Sequence, residues 1–388
     1  MKKTLLLLPG PVPVAQPVLE AMAWPMINHR GADFADLLAR LERGMQPIFG
    51  TTGDVLFLGS SGTGGLETAV ANCFDPGDRL LSCPIGVFGK RLAKIAQTFG
   101  CTVESIETVP GAALDPNALR ERLARDSEGT IKGILLTHNE TSTGAQNDMA
   151  AISEAIGDHG ALTIVDSVSG LGAAPFEMDA WGYDVVVTAS QKALATPPGV
   201  AMVALSERAW ERIERAQIGR FYFDLRTARE FARKGQTSWT PPISIFYALA
   251  VALERYHADG IDANIERHAR YARAVRAAFE ALGFRIFSRN DAHSVTVVAA
   301  EPPAGVDATA FLKHLREEYG VVLSGGQGEL TGKIVRFGTM GDIGENDILG
   351  AVGAIELTLD ALGIAVTFGT ATGAAARELA QAVPAGAR

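Results

Sequence analysis

Short apolar runs alternate with amphipathic stretches between about residues 50 and 205. The runs lie at residues 54–58, 79–82, 131–137, 161–166, 184–188 and 200–205. Residues 147–157 have the spacing of an amphipathic helix between two of these runs. Runs that are apolar throughout and this short are typical of parallel strands buried on both faces of a sheet. The pattern therefore predicts a large α/β layered domain.

The pattern changes to long helical periodicity from Ile243 onwards. It predicts helices over 261–282, 307–319 and 345–362, and strands at 284–287, 293–298, 321–323 and 334–337. We expect a large domain over residues 21–250 and a small α+β domain over 251–364, onto which residues 1–20 fold back. Residues 365–388, rich in Gly, Ala and Thr, predict a loosely ordered tail with a short helix around 374–382.

The charge and composition exclude several classes of protein. The chain has 44 acidic and 35 basic residues, a formal net charge of −9, which argues against a nucleic-acid-binding surface. Its apolar fraction of 47% over 388 residues supports a large core. The apolar start is interrupted at Pro9, and no run of about 18 apolar residues follows, so we expect a soluble, cytoplasmic protein without membrane helices.

The cysteines give no sign of a metal site. Cys73, Cys83 and Cys101 show neither Cys-x-x-Cys spacing nor a nearby His cluster. We expect them to be small buried side chains rather than disulfides or metal ligands.

A glycine-rich turn follows the apolar run at 54–58 and opens a predicted helix. Its sequence, Gly-Ser-Ser-Gly-Thr-Gly-Gly at 59–65, combines close backbone approach, hydroxyl donors and the positive end of a helix dipole. A phosphate would fit there, although the spacing is neither that of a P-loop nor that of a dinucleotide-binding fingerprint. A purely structural turn is the alternative.

Polar residues end three further apolar runs. Asp166 closes one run, and a carboxylate in that place needs a cation or a protonated nitrogen as partner, unless it caps the next turn. Lys192 follows another, where burial would lower its pKa and favour amine nucleophile chemistry, unless it is a surface lysine. The polar segment 138–144 follows a third apolar run. It could form a hydrogen-bonding floor for a ligand, or it could be a structural turn.

Taken together, these strand ends suit one kind of ligand, because open α/β sheets bind their ligands at this edge. The ligand would carry a phosphate, a basic ring nitrogen and an aldehyde. Pyridoxal 5′-phosphate (PLP) has all three: Lys192 would form a Schiff base, and Asp166 would keep the pyridine nitrogen protonated.

These motifs resemble the class V aminotransferases of PLP fold type I, most of all the alanine–glyoxylate and serine–glyoxylate aminotransferases. The resembling segments are Leu-Pro-Gly-Pro at 8–11, Met-Ile-Asn-His-Arg at 26–30, Ser-Gly-Thr-Gly at 61–64, Thr-His-Asn-Glu-Thr-Ser-Thr-Gly at 137–144, Val-Asp-Ser-Val-Ser-Gly-Leu-Gly at 165–172, and Ser-Gln-Lys-Ala-Leu with Pro-Pro-Gly within 190–199. The resemblance runs from about residue 6 to 362. It implies a mostly parallel, seven-stranded type of sheet between helices, plus the smaller C-terminal α+β domain.

The resemblance implies a role for each cofactor-binding position. Lys192 resembles the Schiff-base lysine and proton-transferring base, and Asp166 the partner of the pyridine nitrogen. Val168 would pack on one ring face and Phe88 on the other. The remaining cofactor contacts implied are Ser61, Gly62, Thr63 and Gln191 to the phosphate, and Thr141 to the ring hydroxyl. Thr237 and Thr240 match a segment that reaches the phosphate of the neighbouring subunit, which implies a homodimer.

The resemblance also implies the substrate site and the reaction. Arg336 resembles the arginine that binds the substrate α-carboxylate, and Gly10, in the motif at 8–11, is implied as a second substrate-binding residue. The implied reaction is transamination between a small L-amino acid (serine or alanine) and a small 2-oxo acid (glyoxylate or pyruvate). Here residues 28–31 read Asn-His-Arg-Gly where glyoxylate enzymes commonly have Gly-His-Arg-Ser, a difference that bears on donor preference. Arg30 or Arg220 could serve as a second carboxylate-binding arginine.

Three other functions are compatible with parts of the sequence. A class V lyase or cysteine desulfurase shares the fold, but a desulfurase needs a cysteine on a mobile C-terminal loop, and residues 324–329 contain none. A non-catalytic PLP-fold subunit of a larger assembly would not need Lys192, Asp166 and Arg336 together. A nicotinamide-dependent dehydrogenase lacks its dinucleotide fingerprint.

Overall fold

A computed structural model of the chain describes residues 4–381, and the elements given below are those within this range. The strands are β1 (Leu5–Leu6), β2 (Asp54–Leu58), β3 (Arg79–Cys83), β4 (Thr102–Ser105), β5 (Ile131–Thr137), β6 (Asn139–Glu140), β7 (Ala145–Gln146), β8 (Leu162–Asp166), β9 (Val185–Ala189), β10 (Ala201–Leu205), β11 (Arg285–Ile286), β12 (Val297–Glu301), β13 (Val321–Val322), β14 (Ser324–Gly325) and β15 (Val335–Gly338).

The helices alternate with the strands in the first half of the chain and dominate the second. They are α1 (Gln16–Ala21), α2 (Ala32–Phe49), α3 (Gly62–Cys73), α4 (Val87–Thr98), α5 (Pro116–Ala124), α6 (Met149–Ile156), α7 (Glu207–Arg215), α8 (Leu225–Ala232), α9 (Ile243–Asp259), α10 (Ile261–Ala281), α11 (Ala308–Tyr319), α12 (Glu345–Ala361) and α13 (Thr370–Leu379), with one 3-10 turn at Gly328–Leu330.

A seven-stranded sheet forms the centre of the large domain, with strand order β2-β10-β9-β8-β5-β3-β4. All its strands are parallel except β10, which pairs antiparallel with both neighbours. Buried side chains of α2 and α9 cover one face, and those of α3, α4 and α7 cover the other. The predicted fold class, α/β with a mostly parallel sheet between helices, is confirmed.

The apolar runs of the sequence correspond to the other six strands of this sheet, but one of its strands was not predicted. That strand, β4, lies at the sheet edge, and its residues Thr102, Glu104 and Ser105 are exposed. An edge strand that faces solvent needs no apolar run, so its sequence carries little strand signal.

The C-terminal part contains a four-stranded sheet of order β11-β12-β15-β14 with its own apolar core, to which α10, α11 and α12 contribute. The strand predicted at 293–298 is shifted, since β12 runs from Val297 to Glu301. Residues 295 and 296 form a bend before β12, and the Ser294 hydroxyl accepts hydrogen bonds from the amides of Thr296 and Val297. This side-chain interaction competes with strand pairing.

Both ends of the described chain pack against other elements. Near the N-terminus, β1 pairs in parallel with β13, and α1 packs on α9. Near the C-terminus, α13 buries Ala371, Ala375 and Leu379 in the core of the C-terminal part. The described portion of 365–388 therefore differs from the loosely ordered tail that we predicted, because small Ala side chains allow α13 to pack closely. Residues 382–388 lie outside the described residues.

No helix within residues 4–381 is both long enough and apolar enough to cross a membrane.

Candidate active site

Lys192 lies in the loop after β9, at the carboxyl end of the sheet, and its amine contacts the N-terminal segment. The Nζ atom donates a 2.6 Å hydrogen bond to the carbonyl oxygen of Pro9. Burial lowers the pKa of Lys192 to about 8, an effect that Arg336 strengthens and the carboxylate of Asp166 opposes. A lysine with this pKa is partly unprotonated near neutral pH and can act as a nucleophile or base.

Gly10 is required for this arrangement. Its φ of +124° is rarely adopted by residues with a side chain, and a Cβ atom there would lie 2.7 Å from Lys192 Nζ. The glycine therefore leaves a space next to the amine that any larger residue would fill.

Asp166 is the last residue of β8 and is 5% exposed. Its Oδ1 atom accepts a 3.0 Å hydrogen bond from the amide of Val168, whereas Oδ2 has no hydrogen-bond partner among the described residues. Burial raises the pKa of Asp166 to about 6, with Glu140 adding to the increase and Lys192 opposing it. A carboxylate oxygen without a partner, on a residue that is itself buried, is suited to a protonated ring nitrogen.

The predicted phosphate-binding turn lies at the start of α3, next to Val168. Ser61 is the N-cap residue and makes no side-chain capping hydrogen bond, so its hydroxyl and the first amides of α3 are available to an anion. A Cβ atom at Gly62 would lie 2.8 Å from a methyl carbon of Val168, so glycine allows this close contact. Thr63 is in the same turn, and the Oε1 atom of Gln191 is buried without a partner.

Phe88 lies in the first turn of α4 and is half-buried. The guanidinium of Arg91 lies 4.6 Å from the centroid of its ring and donates a 3.5 Å hydrogen bond to the Thr63 hydroxyl. Arg91 was not among the predicted site residues. The only available signal was its place three residues after Phe88, one turn further along the same helix.

Arg336 on β15 is 5% exposed, and its contacts are made with main-chain carbonyls. Its Nε donates a 2.8 Å hydrogen bond to the carbonyl oxygen of Gly325, and its Nη1 donates a 2.8 Å hydrogen bond to the carbonyl oxygen of Thr141. No carboxylate forms an ion pair with it among the described residues, and Nη2 has no hydrogen-bond partner there. Burial lowers the pKa of Arg336 to about 10. A buried, oriented guanidinium without an anion is suited to binding a carboxylate.

The polar segment at 138–144 forms a buried floor beside Asp166. The His138 amide donates a 2.8 Å hydrogen bond to the main-chain oxygen of Asp166. The Nδ1 atom of the His138 ring lies 2.8 Å from the Ser167 hydroxyl. Burial lowers the pKa of His138 to about 4, so its ring is neutral. Glu140, also fully buried, was noted in the sequence only as part of this segment.

Thr237 and Thr240 are not brought to Lys192 within one chain. They line a small cavity of about 30 Å³ together with Gly59 and the exposed aromatic residue Tyr222. Arg30 holds this segment, because its guanidinium donates to the side chain of Gln236 and to the main-chain oxygens of Thr237 and Ser238.

The residues fit PLP by several independent features. The start of α3 offers uncapped donors for a phosphate, Oδ2 of Asp166 lacks a partner, and the missing Cβ of Gly10 leaves space at Lys192 Nζ. In a doubly wound α/β sheet these features lie where ligands bind, at the carboxyl ends of the strands. Fold and site together define a PLP enzyme of fold type I.

The chain belongs to the class V aminotransferases, since the model of the family "Aminotransferase class-V" matches residues 19–337. It is 40% identical over 367 residues to an uncharacterized aminotransferase of Methanocaldococcus jannaschii, covering 94% of each chain. It is 38% identical to the soluble hydrogenase small subunit of a Synechococcus species, covering 98% of this chain and 99% of that one. It is also 36% identical to the L-aspartate–glyoxylate aminotransferase of Paracoccus denitrificans, covering 95% and 94%. Serine–glyoxylate and alanine–glyoxylate aminotransferases are among the other relatives.

Solved structures agree with this assignment. Pyridoxamine–pyruvate aminotransferase from Mesorhizobium loti superposes with a TM-score of 0.92 at 29% identity, covering 98% of this chain and 97% of that one. Ureidoglycine–glyoxylate aminotransferase from Bacillus subtilis gives 0.91 at 27% identity, covering 97% and 98%. The family implies PLP as the cofactor.

Proposed function

We propose that the protein transfers the amino group of a small L-amino acid, serine or alanine, to a small 2-oxo acid, glyoxylate or pyruvate. The observation that carries this proposal is Arg336: a buried guanidinium without an anionic partner, close enough to Lys192 to lower its pKa. An amine and a carboxylate-binding group that lie close to each other suit an α-amino acid.

The cofactor would be held by the residues that the sequence indicated. Ser61, Gly62, Thr63 and Gln191 would hold its phosphate, Thr141 its ring hydroxyl, and Val168 and Phe88 the two faces of its ring. PLP supplies an aldehyde that takes the amino group and a ring that withdraws electrons from the bond at Cα.

The protein's own groups would perform the proton transfer and the orientation. Lys192 would hold the cofactor and would carry the proton from substrate Cα, because its lowered pKa of about 8 leaves part of the amine unprotonated at physiological pH. Asp166 keeps a positive charge on the ring nitrogen through its free Oδ2. Arg336 fixes the substrate carboxylate, which orients the Cα–H bond towards Lys192.

Two other arginines considered from the sequence are engaged elsewhere, which supports a donor with one carboxylate. Arg30 holds residues 236–238, as described above. Arg220 has only 4% of its side chain exposed, donates to the main-chain oxygens of Ile213 and Ile218, and pairs with Asp224. The relative that uses L-aspartate makes this donor the necessary comparison.

We also propose that the protein acts as a homodimer in which Thr237 and Thr240 reach the phosphate of the partner's cofactor. What supports this is a group of exposed aromatic side chains beside them. Phe221 is 78% exposed and contacts Trp239, and Tyr222 is 51% exposed and stacks on Trp239. Exposed aromatic groups of this kind mark protein–protein contacts. Sedimentation of the wild type and of Phe221→Glu tests it, because the variant should dissociate.

The spectrum of the purified protein tests the reaction. With PLP, the wild type should be yellow, lose its colour with L-serine, L-alanine or L-aspartate, and regain it with glyoxylate. Lys192→Ala is the control, since it lacks the amine. A wild type whose spectrum no amino acid changes would overturn the transaminase proposal. It would favour a non-catalytic subunit, a role suggested by the relative named as a hydrogenase subunit.

A further inference from the structure

Glu140 is a buried acid that the proposed reaction does not yet use. It is 0% exposed, and its carboxylate acts only as an acceptor in the hydrogen bonds described below. Its Oε2 accepts from the amides of Phe88 and Gly89 at 3.0 and 3.2 Å. Its Oε1 accepts from the amide and hydroxyl of Ser142 at 3.0 and 2.6 Å. No cation forms an ion pair with it among residues 4–381.

The carboxylate serves as the N-terminal cap of α4, the helix that carries Phe88. The N-cap residue, Gly86, provides no side-chain cap, and the amide of Val87 donates instead to the Ser142 hydroxyl at 3.0 Å. Glu140 and Ser142 thus satisfy the amides of residues 87–89. A Cβ atom at Gly86 would lie 2.4 Å from Cγ of Glu140, so only glycine permits this approach. A negative charge at this end of a helix is also favoured by the helix dipole.

The same short segment holds the substrate arginine. Thr141, between Glu140 and Ser142, accepts the 2.8 Å hydrogen bond from Arg336 Nη1 through its carbonyl oxygen. Residues 140–142 therefore contact α4 on one side and Arg336 on the other. A shift of this segment would move both.

We propose that Glu140 is a positioning residue that couples Phe88, on the face of the cofactor ring, to Arg336, on the substrate carboxylate. This inference rests on the proposed function, because it assumes that PLP binds against Phe88. Electrostatics supports this role. Burial lowers the pKa values of Lys192 and Arg336, and the negative charge of Glu140 raises both of them.

Glu140→Gln tests the coupling with almost no change in side-chain volume. Its amide group must direct NH2 either towards the amides of Phe88 and Gly89 or towards the amide of Ser142, so hydrogen bonds are lost on one side. We expect the PLP dissociation constant, from absorbance titration of the apo-protein, and the KM for L-alanine each to rise roughly tenfold. Glu128→Gln, the same change at an exposed site, should leave both values unchanged.

Thermal unfolding separates positioning from a purely structural role. If Glu140→Gln only lowers the melting temperature, while PLP affinity and KM match those of Glu128→Gln, the positioning role is overturned. If the wild type itself does not bind PLP or respond to amino acids, the proposed function fails instead. Should Glu140→Gln not fold, Ser142→Ala removes the cap of Val87 and one donor to Glu140. The PLP dissociation constant and the KM for L-alanine should then both rise a few-fold. Unchanged values would overturn the inference.

Discussion

The amine of Lys192 and the carbonyl oxygen of Pro9 are joined by a 2.6 Å hydrogen bond, which connects the centre of the large domain to the N-terminal segment. Segment and lysine are 183 residues apart in the chain, and the glycine after Pro9 makes room for the amine. The reactivity of Lys192 therefore depends on a part of the chain remote from its own loop.

Gly10→Ala should prevent the attachment of PLP to Lys192. Its Cβ atom would lie 2.7 Å from Nζ and 2.8 Å from Cδ and Cε of the lysine, so the side chain must move. We expect the yield of borohydride-reduced PLP–protein, measured by mass spectrometry, to fall at least tenfold. Gly363→Ala is the control: its φ of +82° imposes similar backbone strain with no atom within 4 Å. Equal labelling of both variants would contradict the steric role of Gly10.

The rate at which the apo-protein takes up PLP should rise with pH through about 8. The pKa of Lys192 is lowered to about 8, and only the unprotonated amine attacks an aldehyde. Arg336→Gln removes a positive charge that lowers this pKa, so its midpoint should lie at higher pH. Stopped-flow absorbance across pH 6 to about 10.5 measures both profiles. A wild-type midpoint near the ordinary 10.5 would show that the amine is solvated.

The strand ends were predictable because three of the apolar runs end in, or are followed by, polar residues that a buried strand does not need. Asp166 and Lys192 stand out on this ground alone. The role of Glu140 could not be predicted, since its partner Phe88 lies 52 residues earlier and nothing in residues 138–144 indicates contact with that helix. The same holds for Arg336, whose lack of an anionic partner is a property of its surroundings. In the C-terminal segment, Ala-rich sequence carried too little hydrophobic pattern to show that α13 packs on the core.

Asp166→Asn should stabilise the apo-protein at neutral pH. The folded-state pKa of Asp166, about 6, lies above the ordinary 3.8, so the folded protein binds this proton more tightly than the unfolded chain does. The stabilisation from that proton is complete below about pH 3.8 and is lost as the pH rises through about 6. The variant remains neutral and should gain about 3 kcal/mol at pH 7.5, and almost nothing near pH 4.

Asp184→Asn is the matched control for this prediction, and denaturant unfolding measures both variants. Asp184 is also buried, but its carboxylate accepts hydrogen bonds from the amide and hydroxyl of Thr163 and from the hydroxyl of Ser206. Its replacement should destabilise the protein, because the amide donates where the carboxylate accepted. A loss of stability in both variants at neutral pH would show that Asp166 is a structural residue.

Arg336→Lys should greatly weaken the discrimination between amino acids and simple amines. The guanidinium uses Nε and Nη1 to bind the oxygens of Gly325 and Thr141, which leaves Nη2 for a carboxylate. A lysine ammonium cannot hold both carbonyls and bind a carboxylate in the same geometry. The wild type should react with L-alanine far faster than with ethylamine, which differs mainly by the missing carboxylate. In the variant this ratio of kcat/KM values should fall about a hundredfold, chiefly through KM for L-alanine. Arg285→Lys replaces an exposed arginine on β11 that pairs with Glu301 of β12, and it should keep the wild-type ratio. If Arg336→Lys keeps the ratio as well, the substrate carboxylate is bound by another group, and the unpartnered charge of Arg336 requires a different explanation.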